Sequence, residues 1–79
     1  MNWRWQIPDL YLNLVSELAR YNHPLYEAMG KLQTTAAGQL PQTFEIHPDV
    51  FLWRQYGYTI IYERLSEQRL LILSSIEKM

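Results

Sequence analysis

The sequence predicts an α+β fold: an N-terminal strand, a helical hairpin and then an antiparallel meander (β-α-α-β-β-β), with the helices packed on one face of the sheet. Three observations carry this reading. Residues 50–76, VFLWRQYGYTIIYERLSEQRLLILSSI, alternate and are rich in β-branched and aromatic side chains, with breaks at Tyr56-Gly57 and Leu65-Ser66-Glu67-Gln68 where a meander needs turns. Upstream, apolar residues recur at helical spacing in two blocks separated by Asn22-His23-Pro24. At the start, Trp3, Trp5 and Ile7 alternate with Asn2, Arg4 and Gln6. Helices that follow one another and strands that follow one another segregate into two layers.

Each element has its own justification. Asn2–Ile7 reads as a half-buried strand that Pro8 ends. Asp9 then opens a helix, its carboxylate facing the positive end of the helix dipole. Leu10, Leu14, Leu18 and Tyr21 form the apolar stripe of that helix, widened by Tyr11 and Val15, opposite Asn13, Ser16, Glu17 and Arg20. At the corner, Asn22 or His23 can cap the next helix, and Pro24 is tolerated in its first turn. Leu25, Ala28, Met29 and Leu32 make the second stripe, and Gly38 is a natural stop beyond it. So short a link makes the helices antiparallel neighbours. Gly30 costs the second helix about 1 kcal/mol against Ala, which close approach to the first helix would explain. Gln39-Leu40-Pro41-Gln42 is a linker, Thr43–His47 is extended, and Pro48-Asp49 turns the chain into the meander. Gly57 supplies the positive φ of a tight hairpin. The strands are apolar on both faces: Ile60 and Tyr62 against Ile61, Leu71 and Leu73 against Leu70 and Ile72. Such strands are either central in a covered sheet or buried by a partner.

Seventy-nine residues read as one domain over 1–79, near the size at which a hydrophobic core alone is marginally sufficient. With no cysteine there is no disulfide and no thiolate metal site, and His23 and His47 stand in no ligand-spaced motif. No cofactor motif is present, whether P-loop, dinucleotide fingerprint or nucleophile elbow. No run approaches a membrane span and the N-terminus lacks a signal-peptide core, so a cytoplasmic protein is expected. A formal net charge of -1 gives no general attraction to nucleic acid. Three Trp, six Tyr and two Phe are many for so short a chain. This excess nominates Trp3, Trp5, Phe51, Trp53, Tyr58 and Tyr62 as partner-binding residues, because large aromatics dominate interfaces as well as cores.

The segment Leu52-Trp53-Arg54-Gln55-Tyr56-Gly57-Tyr58-Thr59-Ile60-Ile61-Tyr62-Glu63 resembles an arginine-bearing strand, tight turn and following hydrophobic strand of the RelE/ParE superfamily, the toxins of bacterial type II toxin–antitoxin modules. Arg69-Leu70-Leu71-Ile72-Leu73 is similar to the family's last core strand, and Trp3–Ile7 with a helix from Asp9 is similar to its start. The resemblance spans nearly the whole chain. It implies a toxin neutralised by a cognate antitoxin and directed at ribosome-bound mRNA or at DNA gyrase. It also implies that Arg54 contacts phosphate, which a guanidinium fork suits; the plain reading of Arg54 is a surface arginine paired with a carboxylate such as Glu63. For catalysis Lys78 is the only cation left near the chain's end, and Glu45 and His47 are the acid–base candidates, with Tyr58 and Tyr62 as substitutes. The sequence departs from the family's pattern in two places. Tyr58-Thr59 stands where Tyr-Arg is usual, and the chain stops at Glu77-Lys78-Met79 where basic or aromatic residues commonly follow. Enzymatic ribonuclease activity is therefore an open expectation. A non-catalytic protein-binding module on the same scaffold, and a homo-oligomer, fit the same residues.

Overall fold

The computed structural model describes residues 2–79. Strand β1 (Arg4–Gln6) leads into helix α1 (Asp9–Arg20) and helix α2 (Pro24–Leu32). Four strands follow: β2 (Thr43–His47), β3 (Val50–Gln55), β4 (Tyr58–Leu65) and β5 (Leu70–Lys78). The extended segment Thr43–His47 thus joins the sheet as a fourth strand after the hairpin. The strand order is β1-β5-β4-β3-β2. β1 runs parallel to β5, and every other pair is antiparallel. The first strand therefore closes against the last, with the helical hairpin as the crossover between the two sheet edges.

β1 is shorter than the alternation of Asn2–Ile7 predicts. Trp3 is drawn out of the ladder: its N–H donates to the Gln33 carbonyl at 2.8 Å and its indole to the Thr35 carbonyl at 3.0 Å. At the helix corner His23 caps α2 as expected, its Nδ1 accepting the Leu25 N–H at 3.1 Å. Leu25, Ala28, Met29 and Leu32 are all buried. In α1 the buried positions are Val15 and Leu18, with Tyr11 and Leu14 packed beside them. Leu10 (80% exposed) and Tyr21 (71%) fall outside the contact, so the stripe is narrower than its apolar residues suggest. Gly30 does not permit close helix approach either, since a Cβ built there meets nothing within 4 Å.

The turns follow backbone chemistry. Tyr56 (φ 54°) and Gly57 (φ 81°) form the two-residue loop between Gln55 and Tyr58, with the paired positive φ values of a type I′ hairpin. Pro48-Asp49 links His47 to Val50, with Asp49 at φ 61°, as a Pro-first turn with a left-handed second residue requires. In β5 the register slips between Ser75, opposite Ile61, and Leu73, opposite Tyr62. The extra residue, Ser74, flips the alternation. Leu71, Leu73 and Ile76 all reach the helix side despite their spacing, and all three are buried.

The core lies between the hairpin and one face of the sheet. Phe51, Trp53, Ile60, Tyr62, Leu71 and Leu73 are fully buried against Leu25 and Leu32 of α2. Residues 33–42 form a strap from α2 to β2. Tyr62 donates to the Gly38 carbonyl at 2.8 Å, and Gly38 (φ 68°) packs its Cα against Trp3 and Leu71 so closely that a Cβ would lie 3.2 and 3.3 Å from them.

Candidate functional site

One face of the sheet carries the helices, and among the described residues no element covers the other. Strand alternation assigns the residues. With Phe51, Trp53, Ile60, Tyr62, Leu71 and Leu73 facing the helices, the opposite face receives Val50, Leu52 and Arg54 from β3. It also receives Thr59, Ile61 and Glu63 from β4 and Leu70 and Ile72 from β5. Phe44 of β2 lies opposite Leu52, and Arg4 and Gln6 of β1 lie opposite Leu70 and Ile72.

Cross-strand register orders this face into rows. Phe44, Leu52, Ile61 and Ser75 form one, apolar over three strands; Phe44 is 66% exposed. On one side of it lies Arg54-Thr59-Glu77, and on the other Val50-Glu63-Ile72-Gln6. The face is thus an apolar band edged by charges of both signs. Both-faced apolar strands here mean one face covered by the chain's own helices and one uncovered.

Arg54 is exposed beside the β3–β4 turn, opposite Thr59. It does not pair with Glu63, which lies opposite Val50 four residues along, about 13 Å away at the rise of a strand. Among the described residues the ion pair formed is Arg64 with Asp49, at 2.9 Å.

The four catalytic candidates are not brought together. Lys78 lies opposite Tyr58 in the register of buried Ile76, and so on the helix side, away from Arg54. Glu45 lies opposite Phe51 and its Oε2 accepts the Asp49 N–H at 2.8 Å, closing the β2–β3 turn. His47 lies opposite Val50, at the far end of β3 from Arg54, with a bulge between it and Glu45. The Tyr62 hydroxyl is committed to the Gly38 carbonyl at 2.8 Å, and burial pushes it up to about 12, so it supplies no ready phenolate at neutral pH.

Four of the six nominated partner-binding aromatics belong to the core, which corrects their assignment as partner contacts. Phe51, Trp53 and Tyr62 have no exposed surface and Trp3 has 3%. They are consumed by internal contacts: Phe51 stacks on Tyr62 at 5.1 Å between centroids, and the Trp53 indole donates to Gln55 Oε1 at 2.9 Å. Trp5 and Tyr58 are half-buried. The Trp5 indole donates to the Met29 carbonyl at 2.8 Å, and Tyr58 meets the His23 ring edge-on at 5.6 Å. The aromatics left on the surface are Tyr21, Tyr26, Phe44 and Tyr56. Phe44 was visible in the alternation of Thr43–His47; that this strand lies at the sheet edge was not.

Clefts on the helix side include an apolar and a polar one. Trp5, Ile7, Val15, Tyr26 and Met29 line the apolar one of about 210 Å³. Glu27, Lys31, Leu40, Gln42 and Tyr56 line the polar one of about 330 Å³. No group of three or more His, Cys, Asp or Glu side chains that could hold a metal ion occurs among the described residues.

No protein-family model matches this sequence, and neither does any curated protein. Among solved structures, a chain of the RelBE2 toxin–antitoxin complex from Mycobacterium tuberculosis superposes over 100% of both chains with a TM-score of 0.62 at 10% identity. The strand, helical hairpin and meander closing on the first strand are therefore a fold that this chain shares with that chain of the RelBE2 complex.

Proposed function

We propose that this protein is the toxin of a toxin–antitoxin pair, held inactive in the cytoplasm by a cognate antitoxin, and that it inhibits translation or DNA gyrase. The observation that carries this reading is the end-to-end match to a chain of a toxin–antitoxin complex. The uncovered sheet face is the surface proposed to meet the target. On it Arg54 is the proposed anchor, as a free-standing guanidinium beside an apolar band suits either a phosphate or an acidic protein surface.

The dispersal of Arg54, Lys78, Glu45 and His47 favours a second reading: a non-catalytic module that acts through protein–protein contacts alone. General acid–base chemistry needs its donor and acceptor within hydrogen-bond reach of one reacting atom, and these four residues occupy two faces and two ends of the sheet. Action on a protein target needs no such convergence.

Inducible expression in a bacterial host, with growth and incorporation of labelled amino acids and nucleotides followed together, tests both. Growth arrest relieved by the co-expressed neighbouring open reading frame is the expected result. Early loss of protein synthesis assigns the ribosome, and early loss of DNA synthesis assigns gyrase. Arg54→Ala is expected to abolish arrest without loss of the folded state measured by circular dichroism. Unimpaired growth on induction would overturn the toxin assignment and leave the binding module.

A further inference from the structure

β2 is held in place by little of its own. Thr43 is its one buried residue, and the strand lies at the sheet edge, bonded to β3 alone. Its two ends, by contrast, are fastened to a single side chain. Arg64 of β4 donates from Nη1 to the Ala37 carbonyl at 2.7 Å and to Gln39 Oε1 at 3.4 Å, both in the strap upstream of β2. From Nε and Nη2 it donates to Asp49 Oδ1 at 3.2 and 2.9 Å, in the turn downstream. The Arg64 backbone N–H adds a bond to the Asp49 carbonyl at 2.8 Å.

The guanidinium lies over the Phe51 ring at 4.8 Å, so one of its faces is covered by the core. Its planar fork can serve two separate acceptors at fixed angles, as an ammonium cannot. Behind the upstream end, Gly38 stays anchored through Tyr62. Beyond it, Thr43 bonds through both its N–H and its hydroxyl to the Leu40 carbonyl, a turn internal to the segment.

We propose that residues 39–48 form a detachable flap latched at both ends by Arg64, and that the flap opens as a unit to uncover the edge of β3 while the helices and β3–β5 stay folded. The physical reason lies in the unequal contacts. Local opening is cheap where few apolar groups are buried and backbone bonds face solvent. Leaving the sheet withdraws only Gln39, Leu40 and Thr43 from partly or wholly buried positions, and of these Leu40 alone is apolar. The opening bares the backbone groups of Val50–Gln55 on one side, a row of donors and acceptors that another strand can pair with.

Amide hydrogen exchange on the intact chain at low denaturant, in wild type and in Arg64→Lys, tests the latch. The β3-bonded amides of β2 are expected to exchange about 10-fold or more faster than those of β4 and β5, with little denaturant dependence, as local opening requires. Arg64→Lys keeps the charge but loses the two-ended fork. It is expected to speed β2 exchange by about another 10-fold while changing β5 rates less than about 2-fold. Asp49→Asn, which Asn tolerates at this positive φ, releases the downstream end alone and is expected to shift β2 in the same direction by less. Exchange of β2 with the same rate and denaturant dependence as β5 would overturn the proposal. So would acceleration of all strands equally, or no change in β2 in either variant.

Discussion

At the scale of single residues, the chain spends its most reactive-looking side chains on holding itself together. Tyr62 is the clearest case. Its hydroxyl is buried and donates to the Gly38 carbonyl, its ring stacks on Phe51, and Trp5 meets it edge-on at 5.4 Å. Tyr62→Phe keeps the ring contacts and orphans a carbonyl, and is expected to cost about 1–2 kcal/mol in a denaturant titration. The same residue sets an alkaline limit. Because burial raises its folded-state value from 10.0 to about 12, the stability it contributes is fully present below pH 10 and is lost as pH rises through 12. Over that window the loss is on the order of 2–3 kcal/mol. The difference between wild type and Tyr62→Phe, followed from pH 9 to pH 12, is the measurement, and a difference independent of pH would refute the assignment. Arg64 plays a comparable role two residues further along β4, where the sequence offers no sign that one arginine out of seven cations is the organising one.

At the scale of elements, local rules were sound wherever a local cause acts. The His23 cap, Pro24 in the first turn of α2, and the Tyr56-Gly57 hairpin each depend on backbone groups a few residues apart, which is why the sequence displays them. Rules that need a neighbour behaved differently. The glycine in α2 reads as a packing device, yet Gly30 faces open space with no positive φ to justify it. Gly30→Ala is therefore expected to stabilise the protein by about 1 kcal/mol through helix propensity alone, seen as a rise in thermal midpoint. A fall would mean that a Cβ at this position meets a neighbour, against the open space around Gly30. The α1 stripe shows the same limit, since Leu10 and Tyr21 match the helical period but are left exposed while Val15 and Leu18 are buried.

At the scale of the whole molecule, the dominant feature is asymmetry: one sheet face lies under two helices, and the other is uncovered among the described residues. The bare face holds Phe44, Leu52 and Ile61 in a continuous row between charged flanks. Contiguous apolar surface of this kind drives association. Sedimentation velocity across a concentration series is expected to show self-association. The double substitution Phe44→Thr with Ile61→Thr, which places strand-favouring β-branched residues at both positions, is expected to suppress it without unfolding. Association that persists unchanged would move the contact to the helix side, where Trp5, Ile7 and Tyr26 border the apolar cleft.

The sequence by itself determined the order of elements, the layer that the helices form and the helix side of the core, Leu25, Ala28, Met29 and Leu32. These are consequences of periodicity and turn chemistry, which act over a few residues. Only the tertiary structure decided that the first strand pairs in parallel with the last, and that a bulge at Ser74 returns Ile76 to the core. It alone showed that Arg54 and Lys78 look out from opposite faces, and that Trp3, Phe51, Trp53 and Tyr62 are spent inside. Two-fold alternation says that a strand has two sides but not which side the helices will cover. That choice is made by contacts between residues tens of positions apart, and it separates a core aromatic from an interface one.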